Sequence, residues 1–336
     1  MNQFPGSILA IEYYLPEKIL TNSSLQESFP DWKVDVTEKK TGVLERRVAA
    51  EGETAYDLAL VAVKKLFSKH PSLKKKVDAI IFCTQTPDYV MPSNSFLLQK
   101  DLGLEKAGMV LDFNLACSGY VFGVAMASSF IKSGMAKNIL LVTGDTYSKL
   151  LEENDRATRL LFGDGASASW IASSDQGDFR PLISSFRDFQ FATDGKGWDK
   201  FIVKSGAQRQ PHSQWEEAGY NDRINMSGIH VVNFVKHLVT KEIAGFLIKN
   251  QLSSADIDQY LVHQASSMAL ECIVRKLRIP EEKLFSNIEK IGNTVSSSIP
   301  IAIKDYFDQH EFKPGSLLLI CGFGVGFSVG TFLAEK

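Results

Sequence analysis

Short apolar runs alternate with amphipathic stretches along most of this chain. Val77-Asp78-Ala79-Ile80-Ile81-Phe82-Cys83 has an acidic start and then no polar face, the pattern of a strand buried on both sides. An amphipathic helix is predicted over Ser93 to Leu102. The same order returns later, with Ile257-Asp258-Gln259-Tyr260-Leu261-Val262-His263 followed by a helical pattern over Ser266 to Leu277. Asp78 and Asp258 are 180 positions apart. Further on, Asn138 to Gly144 is matched by Ser316 to Gly322, and the two glycines are 178 positions apart. Any α/β protein repeats strand–helix units, but here order, type and spacing agree. That predicts a duplicated half, divided near the polar cluster Ser173 to Gly177 into residues 1–175 and 176–336. Alternating strands and helices imply a mostly parallel, buried sheet in each half. Arg187 to Asp222, which holds Gly195, Gly197, Trp198, Pro211 and Trp215, has little periodicity and reads as loops on the second half.

One stretch imitates a membrane span. Ser316 to Ala334 runs nineteen residues without a charge, close to the length needed to cross a bilayer. Gly322, Gly324, Gly326 and Gly330 interrupt it, so two buried strands around a glycine-rich turn are the better reading. The N-terminus lacks a basic segment followed by an apolar run, so a signal peptide is not expected.

Composition narrows the class. Of 336 residues, 44% are apolar and 23% charged, which excludes a mainly disordered chain. The 37 basic and 39 acidic residues nearly cancel, so bulk charge points to no nucleic-acid partner, and Lys74-Lys75-Lys76 reads as a solvated helix end. Cys83, Cys117, Cys272 and Cys321 are scattered and form no CxxC pair. A reducing, cytoplasmic setting is therefore expected, with no disulfide framework and no structural metal.

Three positions carry candidate chemistry. The strand pattern from Met109 leads through Asn114-Leu115-Ala116 to Cys117, and Ser118 to Ala127 then reads as a buried helix dense in Gly and Ala. A cysteine at a helix N-terminus gains from free amides and the helix dipole, which lower a thiol pKa. Its structural alternative is a small buried hydrophobe. His263 follows the strand Gln259 to Val262, where parallel sheets place their sites, and a satisfied core histidine is the alternative. Asn293, in Gly292-Asn293-Thr294, suits a turn or cap, or a carboxamide aimed at an oxyanion. Together, Cys, His and Asn at strand ends in both halves suit covalent acyl transfer.

The ordered motifs resemble the thiolase-fold condensing enzymes, specifically β-ketoacyl-acyl-carrier-protein synthase III, over nearly the whole chain. They are Tyr14-Leu15-Pro16-Glu17 with Thr21-Asn22, Lys40-Thr41-Gly42-Val43-Leu44-Glu45-Arg46-Arg47, and Thr86-Pro87-Asp88-Tyr89 with Pro92-Ser93. Asn114-Leu115-Ala116-Cys117-Ser118-Gly119, Phe162-Gly163-Asp164-Gly165-Ala166, Val262-His263-Gln264-Ala265 and Gly292-Asn293-Thr294 follow. The resemblance implies a thiolase-like five-layer αβαβα fold of two duplicated halves and a homodimer. It implies a CoA thioester as substrate, acyl carrier protein as partner, and no separate cofactor. Cys117 would be acylated from acyl-CoA, with its amide and one from Gly324-Val325 holding the oxyanion. His263 and Asn293 would hold a malonyl thioester while carbon dioxide leaves. By the same resemblance Trp32 and Arg156 would flank the CoA adenine, Lys40 would bind CoA, and Arg275 and Lys276 would dock the carrier protein. Phe323 would pack near Cys117 and His263, and Met91 would close a partner's acyl pocket. The chain departs from the family pattern at Lys40, Met226-Ser227-Gly228-Ile229, Met268 and Gly324-Val325-Gly326, positions that concern substrate rather than the three catalytic types. Transfer to a hydroxyl or amine without decarboxylation, or a catalytically silent subunit, are the competing readings.

Overall fold

The computed structural model describes residues 4–173, 179–211 and 222–336. Its strands are β1 (Ser7–Tyr14), β2 (Ile19–Thr21), β3 (Glu45–Arg47), β4 (Ala79–Cys83), β5 (Met109–Phe113), β6 (Asn138–Asp145) and β7 (Gly165–Ala172). In the second part of the chain come β8 (Ser185–Thr193), β9 (Phe201–Val203), β10 (Ile224–Met226), β11 (Gln259–Val262), β12 (Leu317–Gly324) and β13 (Ser328–Glu335). One sheet runs β1-β7-β6-β4-β5 and the other β8-β13-β12-β11, the same order in each. The counterpart of β5 is reduced to a parallel bridge between Tyr260 and Leu284. Each sheet mixes parallel and antiparallel pairs. β4 lies parallel to β5 and β6, and β11 parallel to β12, whereas β7 and β13 run antiparallel to their neighbours.

The acidic residues that open the repeated strands have one job in both halves. Asp78 accepts the backbone N–H groups of Lys137 and Asn138 at 2.8 and 3.0 Å. Asp258 accepts that of Leu317 at 2.7 Å. Each carboxylate thus sets the register of the next parallel strand, which is why an aspartate stands at both positions.

Three cores define five layers. Tyr56, Leu58, Val63 and Leu66 of the helix Ala55–Lys69, with Leu98 of the helix Asn94–Asp101, pack on the outer face of the first sheet. That first helix starts with a capping box in which the Thr54 and Asp57 side chains accept each other's backbone N–H groups. Ile243, Phe246, Leu270 and Ile273, from the helices Thr240–Lys249 and Ser267–Leu277, cover the outer face of the second sheet. Between the sheets lie two central helices, Gly119–Ser133 and Ser298–Gln309, in one core with Ile81, Leu141, Leu318, Ile320 and Phe332. Leu318 and Ile320 face inward and Leu319 and Cys321 outward, so β12 is buried on both faces and carries no polar alternation.

Ser316 to Ala334 forms the antiparallel pair β12–β13. Among the described residues no helix is long and apolar enough to cross a membrane. The boundary expected at 175/176 lies outside the described residues, as does Trp215. The reading of Arg187 to Asp222 as loops is corrected, because β8 continues to Thr193 and pairs along β13. A bulge hid it. Ala334 pairs with Phe186 but Leu333 with Asp188, so Phe186 and Phe189, three apart, both reach the core and break the two-residue period.

Candidate active site

Cys117 ends the loop from β5 into the central helix Gly119–Ser133, whose N-cap is Ser118. Missing side chains bring that helix against the second sheet. A Cβ on Gly324 would lie 3.1 Å from both the backbone N and the Cβ of Cys117. On Gly322 it would lie 2.9 Å from Cys117 O, and on Gly330 2.9 Å from Val121 Cγ1. Gly322 and Gly330 are paired across β12–β13, so together they clear one strip of sheet surface for the helix. Ser118 and Ser328 hydroxyls close the contact at 2.8 Å. Cys117 is thereby held at the junction of the halves.

His263 follows β11 at the carboxyl end of the parallel pair with β12, and its N–H donates to Cys321 O at 2.8 Å. The Phe323 ring meets the imidazole edge-on at 5.3 Å and 80°. Gln264, also buried, anchors the turn. Its Oε1 accepts from Ser286 Oγ and Asn287 N, both at 2.9 Å, and its Nε2 donates to Asn287 Oδ1 at 2.7 Å. Burial pulls the His263 imidazole down to about 3, so the ring is neutral at ordinary pH.

Asn293 lies between two backbone segments. Its N–H donates to Leu161 O at 2.9 Å and its carbonyl accepts from Gly163 N at 3.0 Å. Gly292 before it has φ +67°, and a Cβ there would meet Leu161 O at 2.8 Å. The Asn293 Oδ1 accepts from Val295 N at 2.9 Å, which leaves Nδ2 as the donor end of the amide. Val295 has φ +55°, a conformation costly for a β-branched residue. Asn293 thus has both a turn role and a free donor.

These three side chains line one cavity of about 430 Å³, part of it open to solvent. Phe323, Gly324 and Val325 line it too, as the sequence reading placed them. Of the remaining wall, Met226 on β10 stands in a segment already tied to substrate, whereas Leu161 and Phe162 before β7, Phe201 on β9, Val231, Phe234, Ala265 and Phe327 were not singled out as wall residues. Phe234 and Phe327 stack at 4.3 Å and 10°. An apolar chamber with a thiol, a neutral imidazole and a carboxamide can hold an acyl chain while charge develops at one end.

The thiol expectation needs correction. Cys117 is buried, and burial together with the nearby Asp145 carboxylate pushes its thiol up rather than down. A hydrogen bond from the Cys117 backbone N–H acts against that desolvation without overcoming it.

Other expected residues stand away from the cavity wall. Met91 is 80% exposed on the loop before the helix Asn94–Asp101. Trp32 stacks on Phe29 at 4.3 Å and 11°, and it is Arg159, not Arg156, that lies over the Phe29 ring, at 5.9 Å. Arg156 is exposed at the start of the short helix Arg156–Arg159. Lys40 is exposed in the last turn of the helix Val34–Thr41, and Arg275 and Lys276 are exposed in the last turn of Ser267–Leu277.

Two family profiles match. One described as 3-oxoacyl-[acyl-carrier-protein (ACP)] synthase III covers residues 111–195, and one for the C-terminal part of the same enzyme covers 247–336. The chain is 35% identical to the beta-ketoacyl-[acyl-carrier-protein] synthase III of Campylobacter curvus, over 98% of this chain and 96% of that protein. A crystal structure of a 3-oxoacyl-(acyl-carrier-protein) synthase III superposes with a TM-score of 0.91 at 38% identity, covering 99% of this chain and 100% of that one. A 3-oxoacyl-(acyl-carrier protein) synthase from Burkholderia xenovorans does so at 0.89 and 31%, covering 98% and 94%. With its doubled five-layer fold and the three side chains converging on one chamber, the chain belongs to the β-ketoacyl-acyl-carrier-protein synthase III family.

Proposed function

We propose that this chain joins an acyl group taken from acyl-CoA to the two-carbon unit of malonyl-acyl carrier protein. The convergence of Cys117, His263 and Asn293 on one apolar chamber carries this reading. The Cys117 sulfur, once deprotonated, attacks the acyl-CoA carbonyl. The tetrahedral oxyanion rests on the Cys117 amide and one from Gly324-Val325, and CoA leaves as a thiolate that takes up a proton. The malonyl thioester then enters. Its carboxylate is lost as carbon dioxide, and the electron pair moves onto the thioester oxygen as an enolate. The neutral His263, with its proton on Nε2, and the Asn293 Nδ2 group donate to that oxygen. The enolate carbon attacks the acyl-cysteine carbonyl, the Cys117 thiolate is expelled, and a β-ketoacyl thioester remains. Donors rather than a strong base are what this sequence of charges needs, and each is worth about 2.7–4 kcal/mol of barrier.

The exposed cations and Trp32 fit a route for long substrates. Lys40, Trp32 and Arg156 would receive CoA, and Arg275 and Lys276 an acidic carrier protein. The pairing of two copies is supported by β5, an edge strand whose five residues are half-buried, and by the exposed Val90 and Met91 nearby in sequence. Two copies joined there would let Met91 reach a partner's chamber. Free, unpaired cysteines fit a cytoplasmic setting. Purified chain given an acyl-CoA and malonyl-acyl carrier protein should release carbon dioxide in step with β-ketoacyl product. Acyl transfer to a hydroxyl or amine with none released would refute it, as would an unmodified Cys117 across straight and branched acyl-CoAs.

A further inference from the structure

Ser296 occupies in the second half the place that Cys117 occupies in the first. They are 179 positions apart, between the 178 and 180 of the repeated glycines and aspartates. Cys117 leads into one central helix and abuts the end of β12, whereas Ser296 leads into the other and abuts the end of β6. There the Ser296 hydroxyl donates to Asp145 Oδ2 at 2.5 Å. Ser296 and Asp145 are fully buried and neither lines the chamber, so the duplicated turn has become a latch rather than a second nucleophile.

The latch has several parts. Asp145 Oδ1 accepts from Gln85 N at 2.7 Å and from Thr84 Oγ1 at 3.4 Å. The adjacent Ser297 hydroxyl bonds the Thr143 hydroxyl at 2.8 Å and Gly165 O at 3.2 Å. The turn 293–297 is therefore fastened to β6 at two successive residues. Val295, directly before Ser296, is held in the left-handed region, and its N–H orients the Asn293 carboxamide. Without the grip on Ser296, Val295 can relax to an ordinary φ. The bond to Asn293 Oδ1 then breaks and the carboxamide turns freely.

We infer that Asp145 is a positioning residue which, by gripping Ser296, keeps Val295 strained and the Asn293 amide aimed into the chamber. The inference rests on Asn293 being a donor to the malonyl thioester. Its test separates the half-reactions in full-length Ser296→Ala and Asp145→Asn proteins. Acylation of Cys117 is followed by intact mass, using a straight or branched acyl-CoA that acylates the parent. Carbon dioxide release is followed from malonyl-acyl carrier protein. In both variants the kcat of release should fall by up to about a hundredfold with KM unchanged, while acylation is unchanged in Ser296→Ala and no slower in Asp145→Asn, which also removes a charge that holds the Cys117 thiol up. Ser296→Thr, which keeps the hydroxyl, should recover much of the loss. Release at the parent rate in Ser296→Ala overturns the inference, as does a parallel loss of both half-reactions. Should Asp145→Asn not fold, Ser296→Ala, which removes one oxygen, decides alone. A parent that acylates but releases no carbon dioxide overturns the functional reading and the inference with it.

Discussion

Replacing Gly322 by alanine tests whether the missing side chain there is what seats the nucleophile. Gly322 does not adopt a positive φ, so alanine is conformationally allowed. Taken alone, the change would stabilise by about 0.4–1 kcal/mol through the unfolded chain. Packing has the opposite sign. The new methyl would sit 2.9 Å from Cys117 O, 2.9 Å from Ser118 Cα and 3.0 Å from Ile299 Cδ1. Two of those three neighbours are backbone at the mouth of a helix sandwiched between sheets. The helix must recede by about half an ångström to reach a contact of 3.4 Å. Such overpacking costs about 1–3 kcal/mol, so the net change is destabilising and the melting temperature falls by a few degrees. The same shift carries Cys117 away from the Gly324-Val325 amides. A full ångström of misplacement is worth about 10² in rate, so acylation should slow by about tenfold. The assays are a thermal melt and the intact-mass rate of Cys117 acylation by acyl-CoA. An unchanged or raised melting temperature together with the parent acylation rate would refute the argument that close approach, not conformation, selects glycine at this position.

Gly245, inside the helix Thr240–Lys249 with nothing within 4 Å of its Cβ direction, is the matched contrast: Gly245→Ala should stabilise by about 0.5–1 kcal/mol without touching activity, read by the same melt. Alkylation of Cys117 by iodoacetamide in the free enzyme should keep accelerating, about tenfold per pH unit, from pH 6 to 9, because its thiol is held high; a plateau near neutrality would show a stable thiolate instead. His263 is pulled from 6.5 to about 3, so the unfolded chain binds its proton first and stability falls as pH drops below 6.5, by roughly 2 kcal/mol at pH 5. Urea titrations should show that loss in the parent and lack it in His263→Asn. Asp145 has the opposite sign: burial raises its carboxyl from 3.8 to about 7, so stability falls as pH rises through that window, and Asp145→Asn should remove this decline.

Strand–helix periodicity and the two repeated offsets made the doubled fold legible, because β4, β6, β11 and β12 are buried on both faces and read as unbroken apolar runs. Cys117, His263 and Asn293 were legible as strand-end residues, whereas their convergence was expected from the motif resemblance and not from any local pattern. It depends on glycine-lined contact between the halves, which no local pattern records. β8 was hidden by its bulge. Phe201 and Met226 sit on three-residue strands too short to show a period. Asp145 ends an apolar strand run, and its partners Gln85 and Ser296, 60 positions before it and 151 after it, leave no trace in the strand pattern. The direction of the thiol shift was missed because a helix N-terminus is visible in a sequence, whereas desolvation by a chamber assembled from both halves is not.

The central claim is that one chamber runs two half-reactions on different donors. Intact-mass analysis of Asn293→Ala, acylated by acyl-CoA and then given malonyl-acyl carrier protein, tests it most directly. The account predicts an acyl-Cys117 adduct that forms at the parent rate and then persists. An adduct that discharges into β-ketoacyl product as fast as in the parent would contradict it.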